Sequence, residues 1–152
     1  MKVVPGPDWS SLSTLDAPAL QRALLQLSDE AMRGLSGDVQ DEACRQLAEP
    51  LRAMWLINWL DFEVAQGSFL AYFYNSHGRY ASDATGVLEA MGAHRMAETV
   101  RLATEAAADQ DDERLEQLTD EYWNAADADE WGEKFDAYLA EAVRRQANEG
   151  DL

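Results

Sequence analysis

Apolar residues recur along this chain every three or four positions, the period of an α-helix, and nowhere alternate as a half-buried strand would. Leu20, Leu24, Leu27 and Ala31 form the first such series. Asp16 stands where an N-cap belongs, Pro18 falls in the first turn and Gly34 ends the run. A second helix is predicted after Asp38 as its cap, with Asp41 as a capping-box-like partner. Pro50 has no N–H and disfavours helical geometry at Glu49, so a break is predicted there and a fresh helix over 51–66.

That helix carries Leu51, Met54, Trp55, Trp59 and Phe62 on one side and Leu56, Ile57, Leu60 and Val64 on the other. Arg52 and Glu63 share its one polar strip. A helix apolar nearly all round is a buried one, so it is the predicted spine. Gly67 and Ser68 divide it from a second segment with Phe69, Tyr72 and Phe73 at i, i+3, i+4, and Asn75 to Gly78 read as a turn. Further helices are predicted over 80–91, ending at Gly92, and over 93–108, 112–123 and 129–147. The expectation is an all-α fold, a compact bundle of seven or eight helices around a buried central helix. It divides into an N-terminal extension 1–14, one helical domain 15–147 and a flexible tail 148–152. The predicted packing partners of the spine are Phe69, Tyr72, Phe73, Leu88, Met91, Leu115, Leu118, Tyr122, Phe135 and Leu139.

Composition agrees with a folded chain. Of 152 residues 47% are hydrophobic and five are Trp, and a chain of this length buries roughly 68–70% of its unfolded surface. The most apolar stretch, Met54 to Val64, is broken by Asn58, Asp61 and Glu63, so no membrane span is expected. MKVVPG is far short of a signal peptide, and Cys44 is the single cysteine, which excludes an internal disulfide and a multi-cysteine zinc site. The expected setting is the reducing cytoplasm.

Candidate chemistry concentrates in QGSFLAYFYNSHGRYA, residues 66–81. One reading is a core helix and a tight turn; another makes Tyr72, Asn75 and His77 a small-molecule or enzymatic site. The second needs a nucleophile or metal set nearby. Ser68 follows a single Gly and lacks the second Gly of a nucleophile elbow, and there is no paired-histidine zinc motif, phosphate-binding loop or dinucleotide fingerprint. His94 and Glu98, four apart, supply at most two metal ligands. A non-enzyme without cofactor is therefore expected.

The run GSFLAYFYNSHGRYASDATGVLEAMGA, Gly67 to Ala93, resembles the signature block of a family of small bacterial helical proteins, catalogued mainly as a domain of unknown function, with a DNA-mimic protein as characterised member. The matching positions are Gly67, Phe69, Tyr72, Phe73, Asn75, Gly78, Leu88, Met91, Gly92 and Ala93. LEQLTDEYW and FDAYLAEAV resemble the family's closing helices, and the likeness covers roughly 45–145. Ser68 and Ala71 stand where many members carry a second Gly and a Gln. The resemblance implies a helical fold, no catalysis and presentation of carboxylates in place of DNA phosphates to a basic DNA-binding protein or transcriptional regulator; it leaves a homodimer open.

Charge position sharpens this. The chain has 29 acidic and 12 basic residues, a net of −17, which repels nucleic acid and anionic lipid and attracts basic proteins. Residues 1–104 carry 13 acids and eight bases; residues 105–152 carry 16 acids and four bases. Laid end to end as helix, 105–141 would span about 55 Å, with about one net charge per 4.6 Å against one phosphate per 3.4 Å of a DNA strand. The candidate phosphate-mimicking residues are Glu105, Asp109, Asp111, Asp112, Glu113, Glu116, Asp120, Glu121, Asp127, Asp129, Glu130, Glu133 and Asp136. The same surface would suit an immunity or antitoxin-type protein that neutralises a basic toxin or nuclease, and a solvated acidic face is its plainest use.

Overall fold

The computed structural model describes residues 6–150, and the residues described are overwhelmingly helical, with no strand among them. Eight α-helices follow one another: α1 Trp9–Leu12, α2 Ala17–Met32, α3 Gly37–Gln46, α4 Glu49–Tyr74, α5 Ala81–Ala90, α6 His94–Ala108, α7 Asp112–Asp129 and α8 Trp131–Gly150. A 3-10 helix, Ser76–Tyr80, sits between α4 and α5. The spine is α4, which packs against α2, α5, α6, α7, α8 and the 3-10 helix. Leu56, Ile57, Leu60, Val64, Phe69 and Tyr72 along it are all buried.

The termini of these helices follow from their local chemistry. Asp16 accepts from the N–H of Ala19 at 2.9 Å and starts α2 as expected. The next helix differs: α3 begins at Gly37 behind Ser36, which makes no side-chain cap bond, and Asp38 lies in its first turn. Asp41 is drawn elsewhere, accepting from the Tyr80 hydroxyl at 2.5 Å and from Arg79. The break before Pro50 falls at Leu47 and Ala48, leaving Pro50 in the first turn of α4. Gly92, at φ +87, closes α5: its N–H donates to Glu89 and that of Ala93 to Leu88, the paired bonds of a left-handed helix stop.

Four expectations need correction. Of the expected extension 1–14, residues 1–5 lie outside the described residues, and in the remainder α1 packs on α8 while Trp9 and Leu12 pack against the core. Residues 148–150 continue α8, and the remainder of the expected tail, 151–152, lies outside the described residues. Helix α7 does not stop at Trp123 but runs to Asp129, because Ala125 and Ala126 extend its buried face, and the chain turns at Glu130 in the left-handed region, φ +51. On α4 the polar strip is misplaced: Glu63 is buried, whereas Phe62, expected on the core side, is 51% exposed.

Gly67 and Ser68 interrupt α4 with non-helical backbone, Ser68 at φ +70 and ψ −178. That region is close to exclusive to glycine. The bend is locked by the Phe69 N–H, which donates to Thr119 Oγ1 of α7 at 3.0 Å, while Ser68 Oγ accepts from Leu70 at 3.1 Å. A side chain on Gly67 would lie 2.8 Å from the Ala71 methyl. The bend turns the second half of α4 toward α7 and so fixes where the acidic helices stand.

Candidate protein-binding face

Helix α7 is two-faced for a simple reason of spacing. Leu115, Leu118, Tyr122, Ala125, Ala126 and Asp129 recur at helical intervals and are all buried. At 3.6 residues per turn, Asp112, Glu113, Glu116, Asp120 and Asp127 fall within about a third of the circumference, on the side away from that set. All five are exposed. Helix α6 packs alongside α7; its last turn carries Glu105 and Asp109 follows as its C-cap, both exposed.

The two helices are joined by a tight corner. Gln110 takes a left-handed conformation, φ +56, and Asp111 donates its N–H back to Ala106 at 2.9 Å. The Asp111 carboxylate then accepts from the N–H of Arg114 at 3.1 Å and caps α7. Acidic side chains at a helix N-terminus face the positive end of its dipole, so Asp111, Asp112 and Glu113 favour the helix that displays them.

The expected residues divide by what they touch. Glu105, Asp109, Glu113, Glu116, Asp120, Asp127, Glu130 and Glu133 are exposed, and among the described residues their carboxylates enter no ion pair or hydrogen bond. Asp112 accepts from the exposed Tyr74 hydroxyl at 2.5 Å, which pushes the Tyr74 phenol above its ordinary range. Glu121 faces Arg114 at 3.6 Å, on the flank of the helix rather than on the stripe. Asp136 is half-buried and takes the side-chain amide of Gln21.

Asp129 does not belong to the face. It is only 6% exposed, and its Oδ2 accepts the N–H of Met96 at 2.8 Å. Ala93 offers α6 no side-chain cap, so Asp129 supplies an acceptor from another helix to the first turn of α6. Its buried position could have been read from its place in the Leu115–Leu118–Tyr122 series.

Some carboxylates outside this face are paired, while Asp29, Asp38 and Asp83 are exposed and enter no ion pair among the described residues. Glu42 pairs with Arg45 at 2.7 Å, Glu49 with Arg145 at 2.8 Å, Glu141 with Arg144 at 2.7 Å, and Asp41 with Arg79. Glu98 pairs with Arg101 and His94 with Glu89 at 2.7 Å, so the side chains suggested for a metal are held by separate partners. Among the described residues no three His, Cys, Asp or Glu side chains form a metal-binding group. The Cys44 thiol is buried, and burial pushes its pKa up to about 11, away from reactive thiolate.

The aromatic block proves to be a corner of the core. Tyr72 is buried, and burial followed by the nearby Glu63 charge lifts its phenol well above the ordinary range. Asn75 donates to Glu63 Oε1 at 3.2 Å, and His77 Nδ1 lies 3.1 Å from the same oxygen. The His77 ring stacks on Trp59, with centroids 4.0 Å apart and planes 8° from parallel. Gly78 lets the 3-10 helix lie on the end of α4, since a Cβ there would come within 2.5 Å of the Tyr72 carbonyl oxygen. Glu63, which the sequence placed on the polar strip, is the hub of this corner. Of Tyr72, Asn75 and His77, His77 reaches a cavity, of about 320 Å³, beside Trp55 and Trp59.

With that block explained as architecture, its likeness to a family becomes a statement about fold. The family described as DMP19-like protein matches residues 45–149. The chain belongs to the DMP19-like protein family. The matched span takes in α4 to α8 and hence the bend, the His77 corner and the acidic helix; α1, α2 and most of α3 precede it. No curated protein and no solved structure matches this DMP19-like chain. Among its described residues no helix is long and apolar enough to cross a membrane.

Proposed function

We propose that the chain is a non-catalytic binding protein that offers the outward stripe of α7, with Glu105 and Asp109 of α6, to a basic DNA-binding protein or transcriptional regulator in place of DNA phosphates. Membership of the DMP19-like family, a family of DNA mimics, supports that role at family level. The observation that carries it to particular residues is their clustering on one side of one helix. Glu113, Glu116, Asp120 and Asp127 share that side, are exposed and enter no ion pair among the described residues, whereas the unpaired acids elsewhere, such as Asp29, Asp38 and Asp83, stand on different helices.

Successive stripe positions such as Asp112, Glu116 and Asp120 are separated by about 6 Å along the axis. Cationic side chains that track a phosphate row meet charges at comparable intervals here, without sequence to read. Direct nucleic-acid binding is opposed by the same field. Neutralisation of a basic toxin would use the same steering, and the partner's own activity separates the two.

The test is capture on the immobilised protein from the native cell at low salt. The expected catch binds duplex DNA, and duplex DNA competes it off. A captured nuclease whose activity the protein blocks would replace this reading with the immunity one, and capture undiminished by competing duplex would overturn the mimicry.

A further inference from the structure

A second anionic feature lies away from the α7 stripe. A cavity of about 310 Å³ opens beside the middle of α4, lined by Asn58, Asp61 and Phe62 of that helix, Gln21 of α2, and Trp131 and Phe135 of α8, with a short apolar floor. No Lys, Arg or His lines it. Its walls are aromatic: Phe62 is 51% exposed and stands edge-on to Trp59, and Trp131 leans on Phe135 with centroids 5.8 Å apart.

The Asp61 carboxylate is poorly provided for. Its one hydrogen bond is long, from the Tyr122 hydroxyl to Oδ1 at 3.4 Å, and among the described residues Asp61 enters no ion pair. The neighbouring Asp136 is already engaged by the Gln21 amide. A half-buried carboxylate with spare accepting capacity loses solvation without full compensation. A carboxylate ringed by aromatic side chains is the surrounding that a desolvated cation prefers.

We propose that this cavity is a binding site for an organic cation, an alkylammonium or guanidinium head held by the Asp61 carboxylate between the rings of Trp131, Phe62 and Phe135. Its volume is at the small end for ligand pockets and suits a head group with a short chain. Anions are repelled by Asp61, and a neutral ligand of the same shape leaves that carboxylate as poorly matched as before. The cation is either a free small molecule or a Lys or Arg side chain presented by a bound protein. The site shares no residue with the α7 stripe, so it stands or falls separately from the mimicry.

The experiment titrates the full chain at matched ionic strength with choline, with Nα-acetyl-arginine amide and with 3,3-dimethylbutan-1-ol, the uncharged counterpart of choline. Calorimetry gives affinity, and the indole N–H resonance of Trp131, assigned with Trp131→Phe, gives location. Saturable binding of at least one cation in the millimolar range or tighter is expected, with a shift at Trp131 and no response to the alcohol. Asp61→Asn and Phe62→Ala should each weaken it by about tenfold; both sides are part-exposed, so each variant folds, which thermal melting verifies. Tighter binding of choline assigns the site to a free cation, and tighter binding of the capped arginine to a protein side chain. No saturation by either cation, equal binding of the alcohol, or undiminished binding by Asp61→Asn would overturn the proposal.

Discussion

Ser68 holds a backbone conformation that costs a non-glycine residue of order 1–3 kcal/mol. Ser68→Gly removes that strain and forfeits only the weak Ser68 Oγ bond to Leu70, so a gain of about 1 kcal/mol, or roughly 2–4 °C in Tm, is expected in thermal melts. Asp129→Ala works the other way. It leaves the Met96 N–H buried and unmatched, and about 1–3 kcal/mol of stability should be lost in denaturant titration, where an exposed acid would show almost nothing. Asp61 is the third case. Burial raises its pKa and the Tyr122 hydroxyl opposes the rise. With the folded value above the unfolded one, ionised Asp61 costs stability at neutral pH, and that cost disappears as pH falls through the folded value. Asp61→Asn should therefore match or exceed the parent Tm at pH 7 and lose that advantage as the pH falls through the raised value of the folded carboxyl, which a series of thermal melts against pH checks.

At the level of helices, the stripe on α7 can be inverted without touching the core. Lysine at Glu113, Glu116, Asp120 and Asp127 replaces exposed side chains that enter no ion pair among the described residues, so Tm should move by no more than a few degrees. Capture of the basic partner should be abolished in the same preparation; retained capture would take the stripe out of the account. Much of this level was legible in the sequence. The period of apolar residues marked α4 as buried, Asp16 and Gly92 marked helix ends, and the charge count pointed to the acidic helices. What escaped was fixed by contacts between distant segments. Nothing near Glu63 announces that Asn75 and His77 fold back onto it. The Ala125–Ala126 pair carried α7 through a stretch whose acids suggested a loop, and Asp129 was drawn inward by a first turn of α6 that has no cap of its own.

Across the whole molecule, a net charge of −17 sets how any basic partner arrives. Long-range attraction raises the association rate and is screened within about 10 Å at 0.1 M salt. If the α7 stripe carries the affinity, the dissociation constant should rise by about tenfold or more between 50 and 200 mM salt, mainly through slower association in stopped-flow records. An apolar interface would give a nearly flat response. The bend at Ser68, clamped to Thr119, has a bearing on this encounter. It ties the middle of α7 to the central helix, while the Asp111 N–H on Ala106 and the Asp129 carboxylate on Met96 tie its two ends to α6. The acids are thus mounted on a rail braced at three points rather than on a pliant arm. A partner gripping them has little chain motion to quench, and so keeps most of what the contact yields.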